Sequence, residues 1–178
     1  MEQRQAEIEF SRRFALADLG HEGAVLEVAA EADERAALAR RFGLLALDSL
    51  AATVRIGRVG GAMVRVRASY VADAVQSCIV TLEPVAARIE DSVEVLFAPP
   101  RPTVEAEVTV NALDGDDAEP LTGDTIDVGE VVAAHLGLAL DPYPRRSGVV
   151  FGGVQSEPED EGSGASPFAA LQDLVPKA

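Results

Sequence analysis

The sequence contains little of what disulfide frameworks, zinc clusters and aromatic binding surfaces require. Among its 178 residues there is a single cysteine, Cys78, and there are only two tyrosines and no tryptophan. One thiol can form neither an intrachain disulfide nor a zinc site built from several thiolates. So little cysteine is typical of proteins from a reducing compartment, and we therefore expect a cytoplasmic protein.

Long apolar runs are absent as well. The longest falls well short of the roughly 18 consecutive apolar residues that a membrane-spanning helix needs. Charged side chains interrupt residues 1–19 throughout, so this stretch lacks the apolar centre of a secretory signal. We therefore expect neither export nor a membrane partner.

Acidic residues outnumber basic residues by two to one. The 30 Asp and Glu residues against 15 Lys and Arg residues give a formal net charge of −15. This charge argues against attraction of the whole chain to nucleic acid or anionic lipid, and it favours basic partners. The length fits one domain. We predict a single α+β domain over residues 1–150, and a disordered acidic tail with a short amphipathic end over residues 151–178.

Apolar residues alternate with polar residues along much of the chain, which is typical of half-buried strands. Residues 46–74 predict two long antiparallel strands, because Gly60 and Gly61 between them supply the positive φ values of a tight turn. The same alternation over residues 89–97 and 104–110 predicts further strands. Pro99, Pro100 and Pro102 end the first of these two runs.

Two segments have helical spacing instead. Residues 32–42 carry acids at the front and arginines at the back, with Gly43 placed to end the helix. Residues 127–140 begin with Asp127 and Glu130, which predict a capping box. The fold class is therefore predicted as α+β, with a mostly antiparallel sheet, open or barrel-like, and two main helices.

Two acidic stretches rich in glycine and proline, residues 113–124 and 155–166, are predicted to be solvated loops. After the second, residues 167–175 place Phe168, Leu171 and Leu174 at helical spacing. The end of the tail is therefore amphipathic and suited to docking or to binding a partner.

No residue pattern predicts catalysis. Cys78 lies in an apolar stretch and is predicted to be a small buried side chain. Its spacing to His21 or His135 does not support a nucleophile and base pair. The glycines at positions 57, 60 and 61 join two strands, so they lack the helix N-terminus of a phosphate loop. We predict no catalytic site, no cofactor, no metal and no small-molecule substrate.

The charge distribution is more informative. Residues 49–72 contain four arginines and no acid, so this hairpin carries +4 and the remainder of the −15 chain carries −19. In the predicted hairpin Arg55, Arg65 and Arg67 share one outward face, with Arg58 near the turn, which makes a candidate contact for an RNA backbone. The alternative is a solvated face whose arginines pair with carboxylates elsewhere.

Several segments together resemble the YceD family, in the branch typical of alphaproteobacteria. The resemblance lies in residues 72–85, 126–130 and 138–145, with further support from residues 33–39 and 167–171. The residues that carry the family motifs are Cys78, Leu82, Glu83, Pro84, Asp127, Asp141, Pro142 and Arg145.

The resemblance implies a non-enzymatic role in the accumulation of large-subunit ribosomal RNA and in assembly of the large ribosomal subunit. Many relatives carry a C-x-x-C-L-x-P core, and some carry later cysteines that suggest a metal. Here Thr81 takes the place of the second cysteine and no later cysteine follows. For this chain the comparison with those relatives implies that a metal site is absent.

Two hypotheses about the partner remain open at this stage. In the first, the arginine hairpin contacts ribosomal RNA or a precursor of the large subunit. In the second, the acidic segments at residues 114–124 and 157–161 engage a basic ribosomal protein, and the RNA is affected only indirectly. A cysteine-dependent hydrolase is a distant third, because Cys78 has an apolar setting.

Overall fold

The computed structural model describes residues 8–99 and 118–150. Strands alternate with two α-helices and one short 3-10 turn at Leu16–Asp18. In chain order the elements are β1 (Arg13–Ala15), β2 (Ala24–Ala29), α1 (Ala32–Phe42), β3 (Ala46–Arg58), β4 (Val64–Ser77), β5 (Pro84–Ala98), β6 (Glu119–Pro120), β7 (Thr125–Asp127) and α2 (Val128–Ala139).

The main sheet has the strand order β2-β3-β4-β5-β6. Its first four strands are antiparallel, whereas β6 pairs with β5 in parallel, and β1 pairs with β7 in a separate two-stranded sheet. The α+β prediction is confirmed. Over the described ranges the sheet is open, with β2 and β6 at its edges, and does not close into a barrel.

The long hairpin appears where the sequence predicts it. β3 and β4 pair around a turn in which Gly60 and Gly61 both have positive φ, 57° and 58°. Side chains alternate along both strands except at a register shift between Leu47 and Ser49 in β3, and Val54 and Val66 lie on the buried face. This register decides which arginines face away from the core.

The core lies on one face of the sheet, between the inner side chains of β2 to β5 and the two helices. Leu38 of α1 and Val132 and Leu136 of α2 are fully buried in it. Burial of side chains of this size contributes roughly 1.5–3 kcal/mol each. No helix of the described part of the chain is long and apolar enough to cross a bilayer.

α1 has the predicted bounds, and Gly43 ends it with a left-handed φ of 66°. α2 begins after Asp127, whose carboxylate accepts hydrogen bonds from the amides of Gly129 and Glu130. The Glu130 half of the predicted capping box is wrong. Its carboxylate instead forms a two-pronged pair with Arg41, at 2.7 and 2.9 Å, which draws it away from the helix start.

The prediction of a loop over residues 113–124 is wrong at one point. Glu119 and Pro120 form β6 beside Phe97 and Ala98, and Leu121 donates its amide to the Ala98 carbonyl at 2.7 Å. Leu121 also packs against the core, which gives this short acidic segment a reason to be ordered. The strand predicted over 104–110, residues 113–117 and the predicted tail over 151–178 lie outside the described residues.

Candidate functional site

Two groups of sequence-predicted residues lie at opposite ends of the main sheet. We call the first the arginine end and define it as Arg55, Arg58, Arg65 and Arg67. In the ladder between β3 and β4, Arg55 lies directly opposite Arg67, and Arg65 lies opposite Gly57. These three arginines alternate with buried neighbours, so they share the outward face of the sheet, as the alternation predicts.

One carboxylate serves two of these arginines. The Nε of Arg65 lies 2.9 Å from Oε1 of Glu94, and the Nε of Arg67 lies 2.5 Å from Oε2. The Arg67 bond has hydrogen-bond geometry, whereas the Nε of Arg65 is at ion-pair distance without a directed hydrogen bond. The hydrogen bond from Arg67 is the main cause that lowers the pKa of Glu94.

The other two arginines have no ion-pair partner in the part of the chain that the structure describes. Within residues 8–99 and 118–150, neither Arg55 nor Arg58 forms an ion pair, and Arg58 donates only to the carbonyl of Leu16, at 3.2 Å. Glu27, on the neighbouring strand, accepts from the hydroxyl of Thr53 at 2.9 Å instead. Among the described residues, Glu94 is therefore the one carboxylate paired with the arginine end, and it contacts only Arg65 and Arg67.

The second group lies at the opposite end of the sheet and is called here the motif end. It consists of residues 76–84 and 141–146, which contain most of the family-motif residues. Arg67 and Gln76 are nine residues apart on β4, so the nearest parts of the two ends lie roughly 30 Å apart along the strand. The structure therefore separates the arginines from the motif residues.

Three N–H···O hydrogen bonds join the two segments of the motif end. The amide of Ile79 donates to the carbonyl of Pro144 at 2.9 Å, and the side-chain amide of Gln76 donates to the carbonyl of Asp141 at 2.8 Å. The third is the ion pair between Arg146 and Glu83, at 2.6 Å. Segments about sixty residues apart in the sequence thus form one structural unit.

The turn between β4 and β5 holds Leu82 in an unusual conformation. Leu82 has a φ of 61°, and its side chain is 76% exposed. Its amide donates to the Cys78 carbonyl, and the Cys78 amide donates to the Glu83 carbonyl, both at 2.9 Å. A left-handed leucine is strained, and such residues concentrate at functional sites.

Cys78 has no exposed surface, as its apolar setting predicts. Its pKa is lowered to about 6, first by a hydrogen bond from the Thr81 hydroxyl and then by the backbone amides of Arg146, Thr81 and Val80. One thiol beside a hydroxyl donor does not fit a tetrahedral zinc site. In the described part of the chain no three metal-binding side chains cluster.

The structure brings together all the predicted family-motif residues except one. Cys78, Leu82, Glu83 and Pro84 lie in the first segment of the motif end, whereas the second segment holds Asp141, Pro142 and Arg145. Asp127 lies elsewhere, where it caps α2 and accepts from the Ser11 hydroxyl and the Arg12 amide, at 2.5 and 2.8 Å. Its contacts are those of a structural residue.

Sequence reasoning missed Tyr143 and Arg146 at the motif end and Glu94 at the arginine end. Tyr143 stands between two prolines, and that pattern was a usable signal for an exposed, restricted aromatic side chain. The pairing of Glu94 with two arginines depends on the register of β5 against β4, which sequence alternation does not fix.

Comparison with known proteins gives one match. Residues 66–175 match the family model described as "Large ribosomal RNA subunit accumulation protein YceD". No curated protein and no solved structure matches the chain. The matched range contains the whole motif end and Arg67, whereas Arg55, Arg58 and Arg65 precede it.

Proposed function

Because the chain belongs to the YceD family, whose name ties it to accumulation of the large ribosomal RNA subunit, we propose that the arginine end binds the phosphate backbone of that RNA. The role is non-catalytic: the protein holds the RNA or its precursor during assembly of the large subunit. The observation that carries the proposal is the placement of Arg55 opposite Arg67, with Arg65 on the same outward face.

Arginine suits this role because of its geometry. Its planar group donates up to five hydrogen bonds and can engage two phosphate oxygens at once. Directly opposite side chains in an antiparallel ladder begin roughly 5 Å apart, so Arg55 and Arg67 can grip one phosphate or two adjacent ones. Neither has to leave the face of the sheet to do so.

The distribution of charge also favours binding at this end. The hairpin carries +4, whereas the other residues together carry −19. A polyanion is repelled by most of the molecule and attracted by this face, so the charge orients the encounter as well as strengthening it. Glu94 lowers the attraction, because a phosphate must compete with it for Arg67.

The experiment is a salt titration of binding to a fragment of large-subunit ribosomal RNA. We expect the triple variant Arg55→Ser, Arg65→Ser, Arg67→Ser to bind more weakly. The slope of log affinity against log salt should fall by about 0.7 per lost phosphate contact on single strands, or about 0.9 on a duplex. Unchanged binding by this variant overturns the proposal.

Two matched variants sharpen the test. Arg88→Ser removes an arginine from the same outward face, but Arg88 is already paired with Asp73 and Glu90, so we expect RNA binding to stay unchanged. Glu94→Gln removes the competing carboxylate and should raise the affinity for RNA. Retention of a basic ribosomal protein after nuclease treatment, without RNA binding, would favour the acidic protein-binding role instead.

A further inference from the structure

The motif end presents an aromatic side chain that the fold does not use. Tyr143 is 69% exposed, whereas Tyr70, the other tyrosine, is 2% exposed. Phe10 and Phe97 are buried, and Phe14 and Phe42 pack against the core. Among the aromatic residues that the structure describes, Tyr143 alone projects mostly into solvent.

The backbone around Tyr143 is held firmly. Pro142 and Pro144 fix φ on both sides of it, and Pro144 is buried. The amide of Tyr143 donates to the Asp141 carboxylate at 2.9 Å, and the Pro144 carbonyl accepts from the Ile79 amide at the same distance. The ring therefore stands on a restrained support, which lowers the entropy cost of stacking against it.

An arginine with no partner among the described residues follows two positions after the ring. Arg145 follows the buried Pro144, is exposed, and forms no hydrogen bond or ion pair with any other described residue. The neighbouring charges are satisfied: Arg146 pairs with Glu83, and Asp141 accepts from the Tyr143 amide. The same short segment therefore carries one exposed aromatic ring and one exposed arginine that has no partner among the described residues.

We propose that Tyr143 and Arg145 form a stacking site for an unpaired base of single-stranded RNA. Tyr143 stacks on the base, and Arg145 contacts the adjoining phosphate or a second base face, a combination that is common in proteins that bind single strands. The inference rests on the proposed function for its RNA, but it names a second contact of different chemistry. Binding at this site is dominated by stacking, so salt weakens it less than binding at the arginine end.

A protein partner is the alternative occupant, because Leu82 and Ile79 are also exposed at this end. The observations favour RNA for one reason. The family name ties the chain to large-subunit ribosomal RNA, and this segment carries, two residues apart, a restrained aromatic ring and an arginine without a partner among the described residues, which are the groups that proteins use to stack on and neutralise single strands. Substitutions that keep bulk but remove the ring distinguish the two occupants.

The experiment uses the full chain, which contains no tryptophan, so Tyr143→Trp gives a single fluorescent reporter. We expect a single-stranded oligoribonucleotide to quench this reporter, and a matched duplex to quench it less. The control Ala36→Trp places the reporter on the exposed side of α1, where no quenching is expected.

Affinity measurements complete the test. Tyr143→Phe should bind the oligonucleotide nearly as tightly as the wild type, whereas Tyr143→Leu should lose about fivefold to one hundredfold in affinity. Arg145→Ser should also weaken binding. Circular dichroism checks that each variant is folded. Tyr143 and Arg145 are both exposed, so their substitution leaves the core intact.

The outcomes separate this inference from the proposed function. If the triple arginine variant loses RNA while Tyr143→Leu binds like the wild type, or if Tyr143→Trp is not quenched, this inference fails and the proposed function stands. If neither set of variants affects RNA binding, both fail. Suppose that Tyr143→Leu still binds RNA and still retains a co-purifying ribosomal protein, whereas Tyr143→Ser loses that protein. The occupant is then protein, and the stacking site is rejected.

Discussion

The arginine end and the motif end are built in different ways. At the arginine end, the four arginines come from one continuous hairpin, and their placement follows from strand register alone. At the motif end, two segments meet that are 63 residues apart at the Glu83 and Arg146 pair, and hydrogen bonds hold them together. The first is a charge pattern displayed on a regular scaffold, whereas the second is a local structure that exists only after folding.

The two ends also differ in how they relate to the family. The matched range, residues 66–175, covers the motif end completely, but it leaves out three of the four arginines. The family relationship therefore bears directly on the motif end. The case for the arginine end is electrostatic, and the salt dependence of RNA binding tests it. Variants that affect one end and spare the other test whether the ends act separately.

The largest expected effect comes from a variant that destabilises the fold on which both ends depend. In Gly129→Ala the new Cβ would lie 2.4 Å from the carbonyl oxygen of Phe10, a backbone atom that cannot simply rotate away. We expect a loss of about 1–3 kcal/mol in the free energy of unfolding, although alanine is the better helix former. Denaturant unfolding measures it.

The matched control for this variant is Gly20→Ala, where an added Cβ meets no atom within 4 Å. A change within about 0.5 kcal/mol is expected there, as for most exposed positions. Equal losses in the two variants would contradict the close packing of α2 on residues 10–12. RNA binding by Gly129→Ala at a temperature where it is folded should match the wild type, which separates stability from contact.

Much of the scaffold could be predicted from the sequence. The alternation over residues 46–74 was long enough to fix both strands and their buried face, and the two glycines marked the turn. α1 was predicted with the correct bounds because charge and Gly43 mark its ends. These signals are local, and each is repeated over many residues.

What the sequence did not predict depends on contacts between distant segments. Glu130 has the spacing of a capping box, but Arg41 from α1 competes for its carboxylate. Glu119 and Pro120 have the composition of a loop, but the edge of β5 offers them hydrogen bonds. Nothing in the sequence of residues 76–83 alone indicates a left-handed Leu82 or the hydrogen bonds that link Gln76, Ile79 and Glu83 to residues 141–146.

The next prediction tests whether the strained conformation of Leu82 at the motif end serves binding. Leu82→Gly should raise the free energy of unfolding by up to about 1 kcal/mol, because glycine adopts a φ of 61° without the cost that leucine incurs. The gain is partly offset by the greater backbone freedom of glycine in the unfolded chain. Leu82→Ala is the matched control, since it removes the side chain and keeps most of the strain.

If Leu82 is held outward for binding, both variants weaken attachment to large-subunit precursors in a gradient, whereas only the glycine variant gains stability. If instead the conformation is a by-product of the turn, both variants co-sediment like the wild type. The arginine end serves as the internal reference, because the salt slope of RNA binding should be the same in both variants.

The smallest effect concerns acid sensitivity, and at the motif end it involves the ion pair between Glu83 and Arg146. The hydrogen bond and charge of Arg146 lower the pKa of Glu83 below its usual 4.5. A carboxylate with a lowered pKa in the folded state contributes stability that is present above its unfolded pKa and is lost as the pH falls through the folded value. Wild type should therefore be slightly more stable than Glu83→Gln at pH 7.

That small advantage should vanish below the folded pKa of Glu83, where the side chain is protonated in both states. Thermal unfolding of wild type and Glu83→Gln between pH 3 and pH 7 measures the difference in stability. This range includes the usual glutamate pKa of 4.5. The same comparison in an Arg146→Met background should show no pH dependence from Glu83, since its main partner is gone. A difference that persists there would show that groups other than Arg146 lower the pKa of Glu83, and the tie between the two segments would then be weaker than the ion pair suggests.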